Sequence, residues 1–522
     1  MSTLGRLNAS DCASRPARGA AVSVMSAVTL AASFSIGFAL LTPAGCGGSA
    51  PDRLTHEQLM DPLTCKTCHP AQFQDWSGSM HAYATDDPVF QAMNQRAQVG
   101  TFCLNCHAPL AVRTGADTTQ LSALPQPLKG VTCYFCHSID SVTGTHNDPL
   151  ALATNDGLFG PFADPAAGSP HNVSYSRLID GATTDSATAC GSCHDIQNLQ
   201  GAHVERTFEE WQATTLSVPP AGESCAECHM VGTPGAVSTT TPNKIRRNHD
   251  HAFPAVDLPV VDFPAADPQN GIAPQNQALQ TASQALLDTT IQQTLCLNPQ
   301  TNRLQLTLDN VGASGHSWPS GATPDRRVWV ELTAYQAGAV IYASGNTTDL
   351  PGFPSALPLE DSSPDPDLWL IRDCLFDAAG KQLTMFWQAV TLGPSNQLPG
   401  LLVQNVNDPS TYQTHLMKEY PDAARTATLP ATPDHVTVTV HMQAIGDDVL
   451  DSLVASGDLD ASIPPKIARY QLGGSGTLDW TPTSPAVFHT PDPATSAVMT
   501  CVTTGTYKAN TTLTTSHSTC LP

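Results

Sequence analysis

Positive charge is scarce in this sequence. Lysine and arginine number 23 against 46 aspartates and glutamates over 522 residues, a formal net charge of −23. Nucleic-acid phosphates need a basic surface, so no nucleic-acid partner is expected. Charged residues of either sign reach only 13%. No Ser-His-Asp arrangement, phosphate-cradling glycine loop or other catalytic string stands out. Apolar runs are short, except for Ala27 to Leu41, and no other stretch is apolar enough to span a bilayer. With 43 prolines and 36 glycines, loops and short elements are expected rather than long helices. The length suits two or three domains.

Cysteine and histidine, at 16 and 18, are arranged in a repeat. The pattern Cys-x-x-Cys-His occurs five times: Cys65, Cys68 and His69; Cys103, Cys106 and His107; Cys133, Cys136 and His137; Cys190, Cys193 and His194; Cys225, Cys228 and His229. Residue frequencies predict about 0.02 copies by chance. Each copy reads as a c-type haem attachment site, in which two thiols form thioethers to the porphyrin edge and the histidine ligates iron from one face. Zinc knuckles are the rival, but they come in pairs and do not require a histidine after every second cysteine. A disulfide framework leaves the five histidines unexplained. Five haems are therefore expected.

The N-terminus reads as an export signal over residues 1–45. Arg6, Arg15 and Arg18 precede the apolar run, and Pro43-Ala44-Gly45-Cys46 follows it. Cys46 before Gly47-Gly48-Ser49 resembles a bacterial lipoprotein site, although Pro43 departs from the aliphatic residue expected there. A lipid anchor at Cys46, simple cleavage and a retained anchor stay open; all three export the chain to the periplasm, outer membrane or cell surface.

Residues 46–251 form the expected pentahaem domain. The motifs lie so close together that haem faces must supply much of its apolar packing. His69, Phe73, Trp76 and Met80 share one helical face, with His81 beside it. The string from Cys65 to His81, Cys-x-x-Cys-His-Pro-x-x-Phe-x-x-Trp-x-x-Ser-x-His, resembles multihaem c-type cytochromes related to the tetrahaem carrier that serves hydroxylamine oxidoreductase. Cys190 to Asp195, Glu209-Glu210-Trp211, Cys225 to Met230 and His249 to Phe253 resemble the same group. The resemblance implies electron-transfer haems, mostly with two histidines each. Distal ligands are expected from His81, His146, His171, His203 and one of His249 or His251, with His251 preferred; His56 reads as a surface residue.

Residues 252–295 read as a linker and a helix, the helix covering 276–291. Residues 296–522 alternate in period two, as at Leu304, Leu306 and Leu308, Val328, Val330 and Leu332, Leu383, Met385 and Trp387, and Val436, Val438, Val440 and Met442. That argues a β-sandwich, with a short helix over 446–456 and strand-like ends near Leu478 to Trp480. The fold class is thus a haem-packed, mainly α and irregular domain followed by a mainly β domain. The string Gly315-His316-Ser-Trp318-Pro-Ser-Gly321 with Arg326-Arg327 resembles C-terminal β-domains of several exported multihaem cytochromes. This loop is expected to cap the haem region. His316 either satisfies a local backbone group, ligates iron or meets a propionate; Arg326 and Arg327 suit carboxylates, and Trp318 offers a flat face to a porphyrin edge.

Cys296, Cys374, Cys501 and Cys520 suggest two disulfides, with Cys501–Cys520 the nearer local pair and Cys296–Cys374 remaining. The functional reading is an exported multihaem carrier passing electrons to redox partner proteins or an extracellular acceptor. An acidic carrier favours basic patches on such partners. Two rivals stay in view. One is a haem enzyme acting on small nitrogen or sulfur compounds, weakened by the lack of any Cys-x-x-Cys-Lys motif. The other is a subunit of an extracellular cytochrome filament.

Overall fold

The computed structural model describes residues 53–504 apart from 167, 219–221, 267–268, 311–313, 358, 360–362, 394–396, 399, 401–414, 423–426 and 493. The expected signal, Cys12, Cys46 and Cys520 lie outside the described residues. Among the described residues no helix is long and apolar enough to cross a membrane.

The first region is a succession of one- and two-turn helices joined by tight turns, with two-stranded ribbons between them. Proline in the first turn starts many of these helices, as at Pro62, Pro70, Pro88 and Pro109. Side-chain caps fix several: Asp61 accepts from the Leu63 amide at 2.9 Å and Asp87 from the Val89 amide at 3.0 Å. The expected single face through Met80 is divided. The helix Pro70–Ser77 ends at Gly78, and Ser79 caps a new turn, Met80–Tyr83, which carries His81. Phe73 and Trp76 are buried as expected.

Two glycines allow close approach. At Gly130 (φ +64°) a Cβ would lie 2.5 Å from the His81 carbonyl oxygen, and the next amide, Val131, donates to that oxygen at 2.8 Å. At Gly191, between two motif cysteines, a Cβ would lie 2.2 Å from the Phe208 ring. The Pro- and Thr-rich stretch after the fifth motif is ordered. It pairs Thr233–Ala236 with Ile245–Asn248 and then lays Val260, Val261 and Phe263 against Phe73, Trp76 and Tyr83.

The linking helix spans Ala273–Leu287, starting before the expected residue because Pro274 suits its first turn. It ends sooner because Ile291 already begins a strand. The β region holds two five-stranded antiparallel sheets. One orders His415–Tyr420, Arg303–Asn310, Ile291–Asn298, Val498–Thr503 and Phe488–Pro491. The other orders Ala339–Ser344, Arg327–Gln336, His435–Gln443 and Arg469–Trp480, with Trp369–Ile371 also paired to Arg327–Gln336. Leu304, Leu306 and Leu308 from the first meet Val328, Val330, Leu332, Val436, Val438 and Val440 from the second in one cluster. Each such side chain contributes about 1.5–3 kcal/mol by leaving water. The intervening Trp329 is also buried, because Ala356, Leu359 and Leu368 cover the outer face.

Two expectations are corrected. Leu383, Met385 and Trp387 do not form a sandwich strand: Gln382–Leu383 is a two-residue strand and Phe386–Gln388 turns into a 3-10 helix. The disulfide is Cys296–Cys501, not Cys501 with Cys520 or Cys296 with Cys374. These two residues face each other across paired strands, with Cα atoms 4.0 Å apart, a relation of register that chain distance cannot reveal. Cys374 is disulfide-bonded as well.

Candidate haem-binding site

Cys133–His137 and Cys225–His229 are each a single helical turn, and the other motifs straddle similar turns. Thr132 caps the third, accepting from the Phe135 amide at 3.4 Å. Winding the motif on one turn brings both thiols and the imidazole to one side of the backbone.

Every motif histidine is held through Nδ1. His69 donates to the Val237 carbonyl at 2.6 Å, His107 to Ala84 at 3.2 Å, His137 to Phe159 at 2.7 Å and His229 to Pro254 at 3.0 Å. His194 differs, with Nδ1 3.4 Å from the Glu205 carboxylate. No hydrogen bond engages Nε2 of these five rings among the described residues. A donating Nδ1 fixes the tautomer that presents a lone pair at Nε2, as second-shell acceptors do for metal-bound imidazoles. Burial lowers His107 and His229 to about 4. Burial also acts downward on His194, but the hydrogen bond and charge of Glu205 outweigh it and hold this ring at about 9, so iron at its Nε2 would have to displace a proton. The His194 side chain is 53% accessible. The residues fit c-type haem. Sequence reasoning missed Glu205 and the four carbonyl acceptors; a backbone oxygen leaves no mark in a sequence.

The expected distal histidines divide. Two imidazoles on one metal at about 2 Å each place their ring centres about 6 Å apart. His171 lies 6.1 Å from His69, and His81 6.1 Å from His194. Burial, then the charge of His69, lowers His171 to about 4; burial, then the charge of His137, lowers His251 to about 4. His146 and His203 are brought to one another, at 6.3 Å, and not to a motif histidine. His203 offers Nε2 to Asp195 and Nδ1 to Glu209 at 3.1 Å, and the Asp195 hydrogen bond raises its pKa. An imidazole with both nitrogens spent on carboxylates has no lone pair left for iron. His56 is on the surface, 2.6 Å from Asp156. His107 stacks on Phe90 at 3.9 Å, with no second histidine ring placed against it among the described residues.

Thiols of different motifs are neighbours. Cys65 and Cys133 are close enough to shift each other's pKa, as are Cys106 and Cys193, and Cys190 and Cys225. Cys136 is close enough to Cys190 and Cys193 to feel their charge. Among the described residues no three His, Cys, Asp or Glu side chains gather to hold a bare metal ion, as a zinc site would require.

The β region reaches this site through a hydrogen-bonded seam. Arg206 donates to Asp373 and Gln397, both at 2.6 Å, and Asn198 to the Phe386 and Ala389 carbonyls, both at 2.8 Å. Arg326 and Arg327 are not turned to propionates; they fork onto Asp257 and Asp448. Trp318 is buried in the β cluster, its Nε1 donating to Thr290 at 2.8 Å. Neither arrangement leaves these side chains for a porphyrin.

Residues 64–138 match the family Cytochrome c554 and c-prime. The chain shares its fold with a penta-heme cytochrome c552 from Thermochromatium tepidum, at a TM-score of 0.53 and 19% identity, over 82% of this chain and 99% of that one. No curated protein matches. The five motifs, the matched family and the shared fold together support a multihaem c-type cytochrome.

Proposed function

We propose that this chain is an exported electron carrier holding five covalent haems. The observation that carries the reading is the placement of all five motif histidines, each pinned at Nδ1 with Nε2 left for iron. When bound, the haems supply reversible one-electron chemistry. The chain supplies the thioether cysteines, the axial imidazoles and burial, which tune each potential. In the reading proposed, His171 serves the first haem, His251 the third and His81 the fourth. Adjacent thiols favour a wire from the first haem to the third and then the fourth, with the second and fifth both meeting the fourth.

Electrons would pass to a redox protein or an extracellular acceptor. A haem count by pyridine haemochrome and mass spectrometry tests the claim, followed by a reductive titration. Five haems, each reducible, are expected. Fewer than five on matured protein, or haems that do not exchange electrons, refutes the reading.

A second reading has one observation in its favour. Among the described residues no second imidazole ring is set against His107, as His171 is against His69, so the second iron would keep a face for a small ligand. Turnover of nitrite or hydroxylamine that scales with a high-spin signal would favour the enzyme.

A further inference from the structure

His316 belongs to the β region, on a loop that lies against the haem region. Gly315, at φ +65°, turns the chain so closely that a Cβ there would lie 3.1 Å from Leu216 Cδ1. Leu216 packs in the same cluster as Cys225, the first cysteine of the fifth motif. The His316 side chain is half-buried. Its Nδ1 donates to the Ser317 carbonyl at 2.9 Å, the same device that orients four motif histidines. Among the described residues its Nε2 makes no hydrogen bond.

The loop is fixed from both sides. Within the β region, the His316 carbonyl accepts from Asn310 Nδ2 at 3.0 Å and Ser314 Oγ at 2.8 Å. A Cβ on Gly400 would lie 3.0 Å from that carbonyl, so the backbone there is closely covered. Toward the haem region, Ser320 Oγ donates to Glu210 at 2.7 Å and the Gly321 amide to Thr207 Oγ1 at 2.9 Å. A side chain held this way is positioned rather than merely near. Other imidazoles of the haem region have places of their own: His171 lies 6.1 Å from His69, His81 6.1 Å from His194, and His251 turns its Nδ1 to the His249 carbonyl at 2.9 Å. His249 sits against the chain of the fifth motif itself, its Nδ1 on the Met230 carbonyl at 2.9 Å and its ring edge 3.2 Å from where a Cβ on Gly181 would lie.

We propose that His316 is the distal axial ligand, through Nε2, of the haem attached at Cys225 and Cys228, opposite the proximal His229. The inference rests on the haem reading above. It makes the β region part of a haem centre, so that docking of the two regions and the spin state of one iron are a single event.

The test uses the full-length, haem-loaded protein. Haem stoichiometry is measured first, because failure to carry a fifth haem refutes the functional reading itself. In His316→Ala with its full haem complement, low-temperature EPR and magnetic circular dichroism should show about one iron in five newly high-spin. Added imidazole should return it to low spin. In His316→Met, which keeps a ligand at the site, one haem should stay low-spin with an altered near-infrared band and a shifted potential. Should His316→Ala not fold, His316→Met decides alone. Spectra identical to wild type in either variant, at unchanged stoichiometry, overturn the proposal.

Discussion

The two regions of this molecule are stabilised in different ways. In the β region one apolar cluster runs from Leu287 to Val502 and joins both sheets. In the haem region burial is divided among separate groups, around Leu59 and Phe135, around Phe73 and Trp76, and around Phe208 and Trp211. Helices of one or two turns are marginal in water on their own. A chain with its own continuous core can stand by side-chain packing alone. A chain of short turns needs large apolar bodies between its clusters, and a porphyrin is one. The lesson is that folding and cofactor attachment are separable problems in one half and a single problem in the other.

The largest test of that contrast is to prevent haem attachment. Limited proteolysis of such protein should cut throughout residues 53–251 while the strands from Ile291 to Thr503 resist. Equal resistance in both halves would break the comparison. Next, Trp480→Ala, at a fully buried ring, should lower the stability of the β region by about 3–5 kcal/mol. The haem absorption spectrum should not change at temperatures where the β region stays folded. Cys296→Ser with Cys501→Ser should cost about 2–4 kcal/mol, again read in the β region's unfolding and not in the haem bands.

The smallest effect concerns the seam. Asp87 caps Pro88–Ala97, whose Val89 and Ala92 pack on Val449, Leu450 and Leu453. Burial pushes its carboxyl up to about 7, from about 4 in an unfolded chain. A raised folded-state pKa favours the protonated form, so this contribution is full below about pH 4 and is lost as pH rises through about 7. Asp87→Asn keeps the cap and should flatten that part of the pH dependence, seen as denaturant midpoints that vary less between pH 5 and 7. Parallel curves for variant and wild type would remove Asp87 from the account.

Much of the β region could be read in advance. Leu304, Leu306 and Leu308 alternate with polar residues and are wholly buried, because one face of their strand meets the opposite sheet. Leu383 to Trp387 misled because period two over a few residues also fits a strand that stops and a turn that follows. The five Cys-x-x-Cys-His motifs stand out in the sequence because covalent haem attachment would dictate residue type and spacing together. The second histidines were legible only in part, since a ligand can arrive from any part of the chain: His171 and His81 lie 6.1 Å from motif histidines, while His146 and His203 meet each other. His203 looked free in sequence, and only the fold shows Asp195 and Glu209 on either side of it. His316 was recognised as a candidate for the opposite reason, its framing by glycine and proline, while its neighbour Leu216 lies about a hundred positions earlier.

The sheet order has one more consequence, and it is temporal. Ile291–Asn298 lies between Arg303–Asn310 and Val498–Thr503, so one edge of this strand waits for nearly the last described residues. Domains emerge N-terminus first. All five attachment motifs are therefore available while the first sheet is still open, and His316 follows before that sheet can close. The sandwich is finished last, so it closes over a region whose Cys-x-x-Cys-His motifs have all emerged before it.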